Sequence, residues 1–259
     1  MRKIVLGIVG FILLLGLSII GVAFSARGSM EEMRGQNLLF LITDGEVELA
    51  VGYEVNERKS FFVDPTEVSA DPEELVGGEV TGIFGIGEEG AYERRIVIGR
   101  TVVIRVGVIE KMVDIIGGVD VASEEDAPVQ FSTHLTGSQV ADIIREESLG
   151  TSGSWKVSYL DPLTHNVVTK ELEGSEFEDL LVEKRIVPED GWKLKLAVLK
   201  WVAEDLLEKT EADEGLARRV LGALLSSYKK GEIATYPSNT LTRLAGMAPT
   251  GIIEKILLG

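Results

Sequence analysis

Asp44 is the first residue of this chain placed to do chemistry. It ends the short apolar run NLLFLIT, Asn37 to Thr43, and precedes Gly45. Such a run predicts a central strand feeding a turn. A carboxylate just past the end of a core strand in an α/β sheet is where ligand-facing side chains are found. The same residue also reads as half of an ordinary Asp-Gly turn. Arg105 alternates with apolar neighbours in TVVIRVGV, so it faces either a cleft or the exposed side of a strand.

Other chemistries are closed off by composition. There are 0 cysteines, which excludes disulfides, thiolate metal sites and cysteine nucleophiles. His134 and His165 are the only histidines, and neither has a companion at ligand spacing, so a common zinc site is excluded. His134 precedes Leu135-Thr136-Gly137 and could flank a pocket mouth; His165 falls in a predicted hairpin turn. Gly82-x-x-Gly85-x-Gly87 has neither the Lys-Ser/Thr of a P-loop nor dinucleotide spacing. It reads as a loop or the wall of a groove.

The chain carries 26 basic and 42 acidic residues in 259, a net charge of −16. Residues 1–27 hold Arg2, Lys3 and Arg27 and no acid, which leaves −19 on the remainder. That acidity opposes nucleic-acid binding, which rests on Lys and Arg neutralising phosphates. Ile4 to Phe24 is an uncharged stretch of 21 residues. At about 1.5 Å per residue it matches a bilayer core of roughly 30 Å. Arg2 and Lys3 favour a cytoplasmic N-terminus. The expectation is therefore a single-pass cell-membrane anchor over 1–27, a tether over 28–36 and an extracytoplasmic body over 37–259. A signal peptide cleaved near Ala23-Phe24-Ser25 is the competing reading, and a buried core helix the third.

The elements that would position these groups follow from periodicity. Strands are expected at Glu46–Tyr53 and Lys59–Val63, joined by a turn at Asn56-Glu57-Arg58. Asp64-Pro65 closes that unit, Pro72 to Val76 could open a short helix, and Gly77 to Gly90 reads as a loop or loosely wound helix. Ile96–Ile98 and Thr101–Val106 give strand signals. Val108, Met112, Ile115 and Ile116 share a helical face that Gly117-Gly118 terminates. A short strand at Val119–Val121 and an amphipathic helix from Gln139 to Glu146 follow. Ser154 to Glu173 reads as a hairpin, inserted near 151–174, and two long helices span Trp192–Lys209 and Glu214–Lys230. Alternating strands and helices predict an α/β fold, a mixed central sheet flanked by helices.

Three stretches, in order, resemble the LytR-CpsA-Psr family of cell-envelope proteins. They are Asn37–Asp44, Val108–Val121 (VIEKMVDIIGGVDV) and Leu135–Arg145 (LTGSQVADIIR). The Thr235–Leu241 segment and the helices before it add weaker support. The resemblance implies a membrane-anchored domain that holds a polyprenyl tail in an apolar cavity. It implies transfer of a glycan phosphate from polyprenyl pyrophosphate to an envelope acceptor, with Mg2+ or a similar divalent cation.

By that resemblance Asp44 and Asp64 would hold the metal, and Asp44, Asp64 and Arg145 would form the catalytic set. The pyrophosphate would be met by Arg145, with Arg105, Lys193 and Lys195 as basic residues elsewhere that could take the place of the arginines the chain lacks. Arginine forks and carboxylate-held hard cations suit phosphate oxygens. Arg145 reads equally as a surface arginine opposite Glu146 or Glu147. The chain departs from the pattern by lacking an arginine before Asp64, where it has Phe61-Phe62-Val63, and in Gly45–Leu49. Arg94, Arg95 and Arg100 are further basic residues that could compensate. A domain that keeps the fold for lipid binding or protein contacts, without the reaction, is the alternative.

Overall fold

The structure, a computed structural model, describes residues 37–236 apart from 55, 58, 69–70, 86–90, 124–128, 147, 151–153, 161–165 and 184–190. The expected membrane anchor and tether, His165, and most of Thr235–Leu241 lie outside the described residues. Among the described residues no helix is long and apolar enough to cross a membrane. The architecture is mixed α/β, in two compact units. The first comprises residues up to 108 and from 213 onward, and the second residues 109–212.

The first unit is built on strands β1 (Asn37–Thr43), β2 (Val47–Glu54), β3 (Lys59–Val63), β4 (Glu79–Phe84) and β5 (Tyr92–Arg105). Each pairs antiparallel with the next, and β5 then pairs parallel with β1, so the sheet closes on itself. The seam is weakest between β3 and β4, where the register is one pair, Phe62 with Ile83. A sixth strand, β10 (Ile233–Tyr236), adds antiparallel to β5.

The sheet's interior holds Leu39, Leu41, Ala50, Phe61, Val63, Val80, Phe84, Ile96 and Ile98, with Val68 and Leu75 from the β3–β4 connection. Phe61 fills the middle because Gly52 leaves it room: a Cβ at Gly52 would fall inside the Phe61 ring. One at Gly82 would sit 3.0 Å from the same ring. At one end Tyr92 stacks on Phe84 (5.1 Å between centroids) and Arg94 lies over that ring (4.9 Å), bonded to Glu54 and Glu57.

The strand β4 corrects the reading of Gly77 to Gly90 as loop or loose helix. Val80, Gly82 and Phe84 alternate inward with Thr81 and Ile83 between them. Gly82 is there to admit Phe61, not to loosen the chain. The segment from Pro72 to Val76 is likewise a series of turns and no helix, with Asp71 accepting from the Glu73 N–H (2.9 Å).

The chain leaves β5 through α1 (Val106–Ile115). The second unit carries an antiparallel sheet, β6 (Val119–Ala122), β7 (Val129–Leu135), β8 (Ser154–Leu160) and β9 (Val167–Glu173), in that order. Its helices are α2 (Gly137–Glu146), α3 (Gly174–Glu183) and α4 (Gly191–Ala212). Its core is aromatic: Trp155 stacks on Phe177 (4.3 Å), Phe131 packs edgewise on Trp155, and Trp201 lies tilted against it. The last helix, α5 (Glu214–Lys229), is capped by Asp213 and belongs with β10 to the first unit.

Candidate functional site

Strands β1 and β3 both run antiparallel to β2, and β5 runs parallel to β1. Their C-terminal ends therefore leave the first unit's sheet in the same direction. Asp44 follows β1, Asp64 follows β3, and Arg105 ends β5 opposite Thr43. Asp44 and Asp64 are exposed, as is Arg105. Asp44 sits in the β1–β2 turn, its N–H donating to the Glu46 carbonyl (3.1 Å), with Gly45 at φ 90°. Asp64 accepts from both Thr66 N (2.9 Å) and Thr66 Oγ1 (2.7 Å), and both bonds fall on its Oδ1. That makes it the cap of the turn at Pro65–Glu67. Among the described residues, no group of three or more His, Asp or Glu side chains is arranged as a metal cage.

The outer face of the same sheet is an apolar wall. The registers align Phe62, Val51, Phe40, Val102 and Thr235 in one row, and Leu49, Ile42, Ile104 and Ile233 in the next. Leu38 and Arg100 pair in the row beyond. These residues are buried, at 0 to 7 % exposure, as are those of the interior, at 0 to 9 %. Arg100 is buried on this wall, and sequence reasoning saw it only as one of several spare cations. Its signal was its place in the alternation with Val102 and Ile104 (RTVVI), which puts a guanidinium on an apolar face. Thr235, on β10, is buried with its hydroxyl unpartnered.

In the second unit, Gly117 (φ 82°) and Gly118 (φ 96°) end α1. Gly118 N donates to Val113 O (2.9 Å) and Gly117 N to Asp114 O (3.1 Å), a Schellman closure that needs left-handed residues. Gly118 must also lack a side chain, because a Cβ there would meet the His134 ring. The Leu135-Thr136-Gly137 motif is a helix start. Thr136 and Gln139 form a reciprocal capping box, and Gly137 N donates to Asp114 Oδ1 (3.2 Å).

Arg145, at the far end of α2, is about one-third exposed and lies between Asp142 (3.1 Å) and Glu110 (3.9 Å). An incoming phosphate would compete with both carboxylates. Lys195 is buried at 1 % exposure on α4, beside Leu194, Val198 and Leu199. Lys193 lies on the same helix, with its side chain outside the described residues. His134 does not stand alone: its Nδ1 donates to Asp120 Oδ1 (2.7 Å). Lys209 of α4 bonds the Gly118 carbonyl (2.9 Å), Asp205 (2.8 Å) and, at 3.5 Å, Asp120. The hydrogen bond from His134, then Lys209, holds the Asp120 carboxyl below its ordinary 3.8. This clasp fastens β6 to α4, a positional role that lone-histidine spacing could not reveal.

No family model matches the chain, and no curated protein matches it. Among solved structures it is similar to a transcriptional regulator from Enterococcus faecalis, at 13 % identity over 84 % of this chain and 74 % of that one (TM-score 0.34). It is similar to the Lin1025 protein from Listeria innocua, at 15 % identity over 86 % and 78 % (TM-score 0.30). It is also similar to a LytR-Csp2A-Psr enzyme from Actinomyces oris, at 15 % identity over 83 % of this chain and 75 % of that one (TM-score 0.43).

Proposed function

We propose that this is a membrane-anchored extracytoplasmic protein of envelope glycopolymer assembly that binds a polyprenyl-(pyro)phosphate lipid. The observation that carries the reading is the common exit of Asp44, Asp64 and Arg105 at the C-terminal ends of β1, β3 and β5 in the first unit's sheet. The three stretches that resemble the LytR-CpsA-Psr family support the envelope assignment. They fold as β1 followed by Asp44, as α1 with its glycine closure and β6, and as α2 with Arg145 in its last turn.

Transfer of the glycan phosphate to an envelope acceptor is the further step that the resemblance implies. Asp44 and Asp64 leave one edge of the sheet, and Asp64 keeps Oδ2 outside its Thr66 bonds. They would hold a Mg2+ shared with the lipid's phosphates, which would neutralise charge there. Arg145, Arg105, Lys193 and Lys195 would meet the phosphates. A specific observation favours the second reading, binding without transfer: Arg145 is already engaged by two carboxylates.

The test is binding and turnover of a polyprenyl-pyrophosphate glycan donor, with and without Mg2+. Metal-dependent turnover that Asp44→Asn abolishes establishes transfer. Binding without turnover leaves the lipid carrier, and absence of both removes the lipid reading altogether.

A further inference from the structure

Helix α5 runs against the charge of the rest of the body. From residue 28 onward the chain carries −19, yet between Glu214 and Glu232 there is no acidic residue. Arg218, Arg219, Lys229 and Lys230 all fall in that stretch. The helix buries Leu216, Val220, Leu224 and Ser227. At about 3.6 residues per turn, the row opposite that stripe is Arg218, Gly222, Leu225 and Lys229. Arg219 flanks the row on one side; Leu221 and Tyr228 flank it on the other. The cations, Gly222 and Tyr228 are exposed, and Leu221 and Leu225 are half-buried. Arg218 is paired with Glu214 one turn back (2.9 Å), whereas Arg219, Lys229 and Lys230 make no ion pair among the described residues. A Cβ at Gly222 would meet nothing within 4 Å, so the middle of the row is a shallow gap between cations. Cations along one side of a helix face with leucine and tyrosine along the other are the pattern of a helix that lies in a lipid interface.

The remainder of the chain brings a lipid surface to this face. The anchor expected over 1–27 and the nine-residue tether over 28–36 hold Asn37, the start of β1, within roughly 30 Å of a bilayer. Helix α5 packs on β10, in the same unit as β1. Most of an acidic body held that close is repelled by an anionic leaflet, and α5 presents the opposite sign.

We propose that the outer face of α5 docks on the anionic phospholipid headgroups of the membrane in which the chain is anchored. The four cations meet lipid phosphates, and Leu225 and Tyr228 reach the boundary with the acyl chains. This rests on the membrane-anchor reading and gives the first unit a resting orientation on the bilayer, separate from any lipid-linked substrate.

The experiment reconstitutes the full chain in vesicles of phosphatidylglycerol or phosphatidylcholine and measures lysine acetylation by mass spectrometry. Lys229 and Lys230 are expected to react about fivefold more slowly on phosphatidylglycerol, and about 0.5 M salt to remove the difference. Lys156 and Lys170, exposed on the second unit's sheet, are expected to react alike on both lipids. Arg218→Gln with Arg219→Gln changes two exposed side chains and is expected to remove most of the protection of the two lysines.

Equal acetylation of Lys229 and Lys230 on the two lipids, in a chain that phosphatidylcholine vesicles retain through an alkaline wash, overturns the docking while the anchor reading stands. Unchanged protection in the double variant, or equal protection of Lys156 and Lys170, overturns the assignment to α5. Soluble polyphosphate protecting as strongly as phosphatidylglycerol would assign the face to a free polyanion and overturn the proposal. A chain that the alkaline wash strips from phosphatidylcholine overturns the anchor reading and the docking together.

Discussion

Leu39 and Phe40 are neighbours on β1, and they face different worlds. Leu39 points into the closed sheet, where Ala50, Val63 and Ile98 are as sealed as it is and Phe61 is fitted against Gly52 and Gly82. Phe40 points onto the outer face, in a buried row that runs from Phe62 to Thr235. Both faces are made of the same residue types. What differs is content: the inner face fits its largest ring against glycine, and the outer face carries a buried guanidinium, Arg100, and a buried hydroxyl, Thr235. Two faces of one sheet can thus be equally buried and yet differ in what their packing demands.

The sharpest way to break this contrast is Gly52→Val. With the Phe61 ring occupying the Cβ position, the variant should lose about 3 kcal/mol in urea unfolding. Phe61→Ala in the same chain should restore part of that loss. A cost below about 1 kcal/mol would mean that the inner face is not tightly fitted. On the outer face, Val102→Leu adds a methylene to a buried side chain and should cost about 1 to 2 kcal/mol. A cost near zero would show that this face, unlike the inner one, has room to spare.

The second unit supplies a control that neither face should influence. Asp120 is held below its ordinary value when folded, so its contribution is complete above the unfolded value and disappears as pH falls through the folded one. Its side chain is 68 % exposed, and the contribution should be under about 1 kcal/mol. Asp120→Asn should lower the urea midpoint at pH 7 and lower it progressively less as pH falls below 3.8. A loss that does not change with pH would remove the electrostatic account of the clasp. The smallest effect is expected from Thr101→Val, which removes a fully buried, unpartnered hydroxyl from the inner face. It should stabilise the protein by about 0.5 to 1 kcal/mol without altering lipid binding.

Much of the frame was legible in the residues. NLLFLIT gave β1, the double glycine gave the end of α1, and a turn at Asn56-Glu57 separates β2 from β3. These are local signals, written where they act. The strand β4 was hidden because its glycines satisfy a distant demand, the volume of Phe61 on another strand. Closure through β5 and β1 was hidden for the same reason: parallel pairing between strands about 60 residues apart leaves no nearby mark. Of the candidate site, Asp44 and Asp64 were found at strand ends, where alternation stops abruptly. Arg145 was found on its helix, but its engagement by Glu110 comes from another helix. Arg100 was visible only as one of several arginines, because burial depends on which strand lies beside it.

The single residue pair joining β3 to β4 has a mechanical meaning. Every other junction of the closed sheet is a ladder of four or more pairs, and this one is Phe62 with Ile83 alone. A ring with one short link yields at that link, so the sheet can widen there while its remaining ladders stay intact. Phe62 also begins the outer row that runs to Thr235. The place where the ring gives is thus the place where the wall can flex, much as a clasp knife opens only at its rivet.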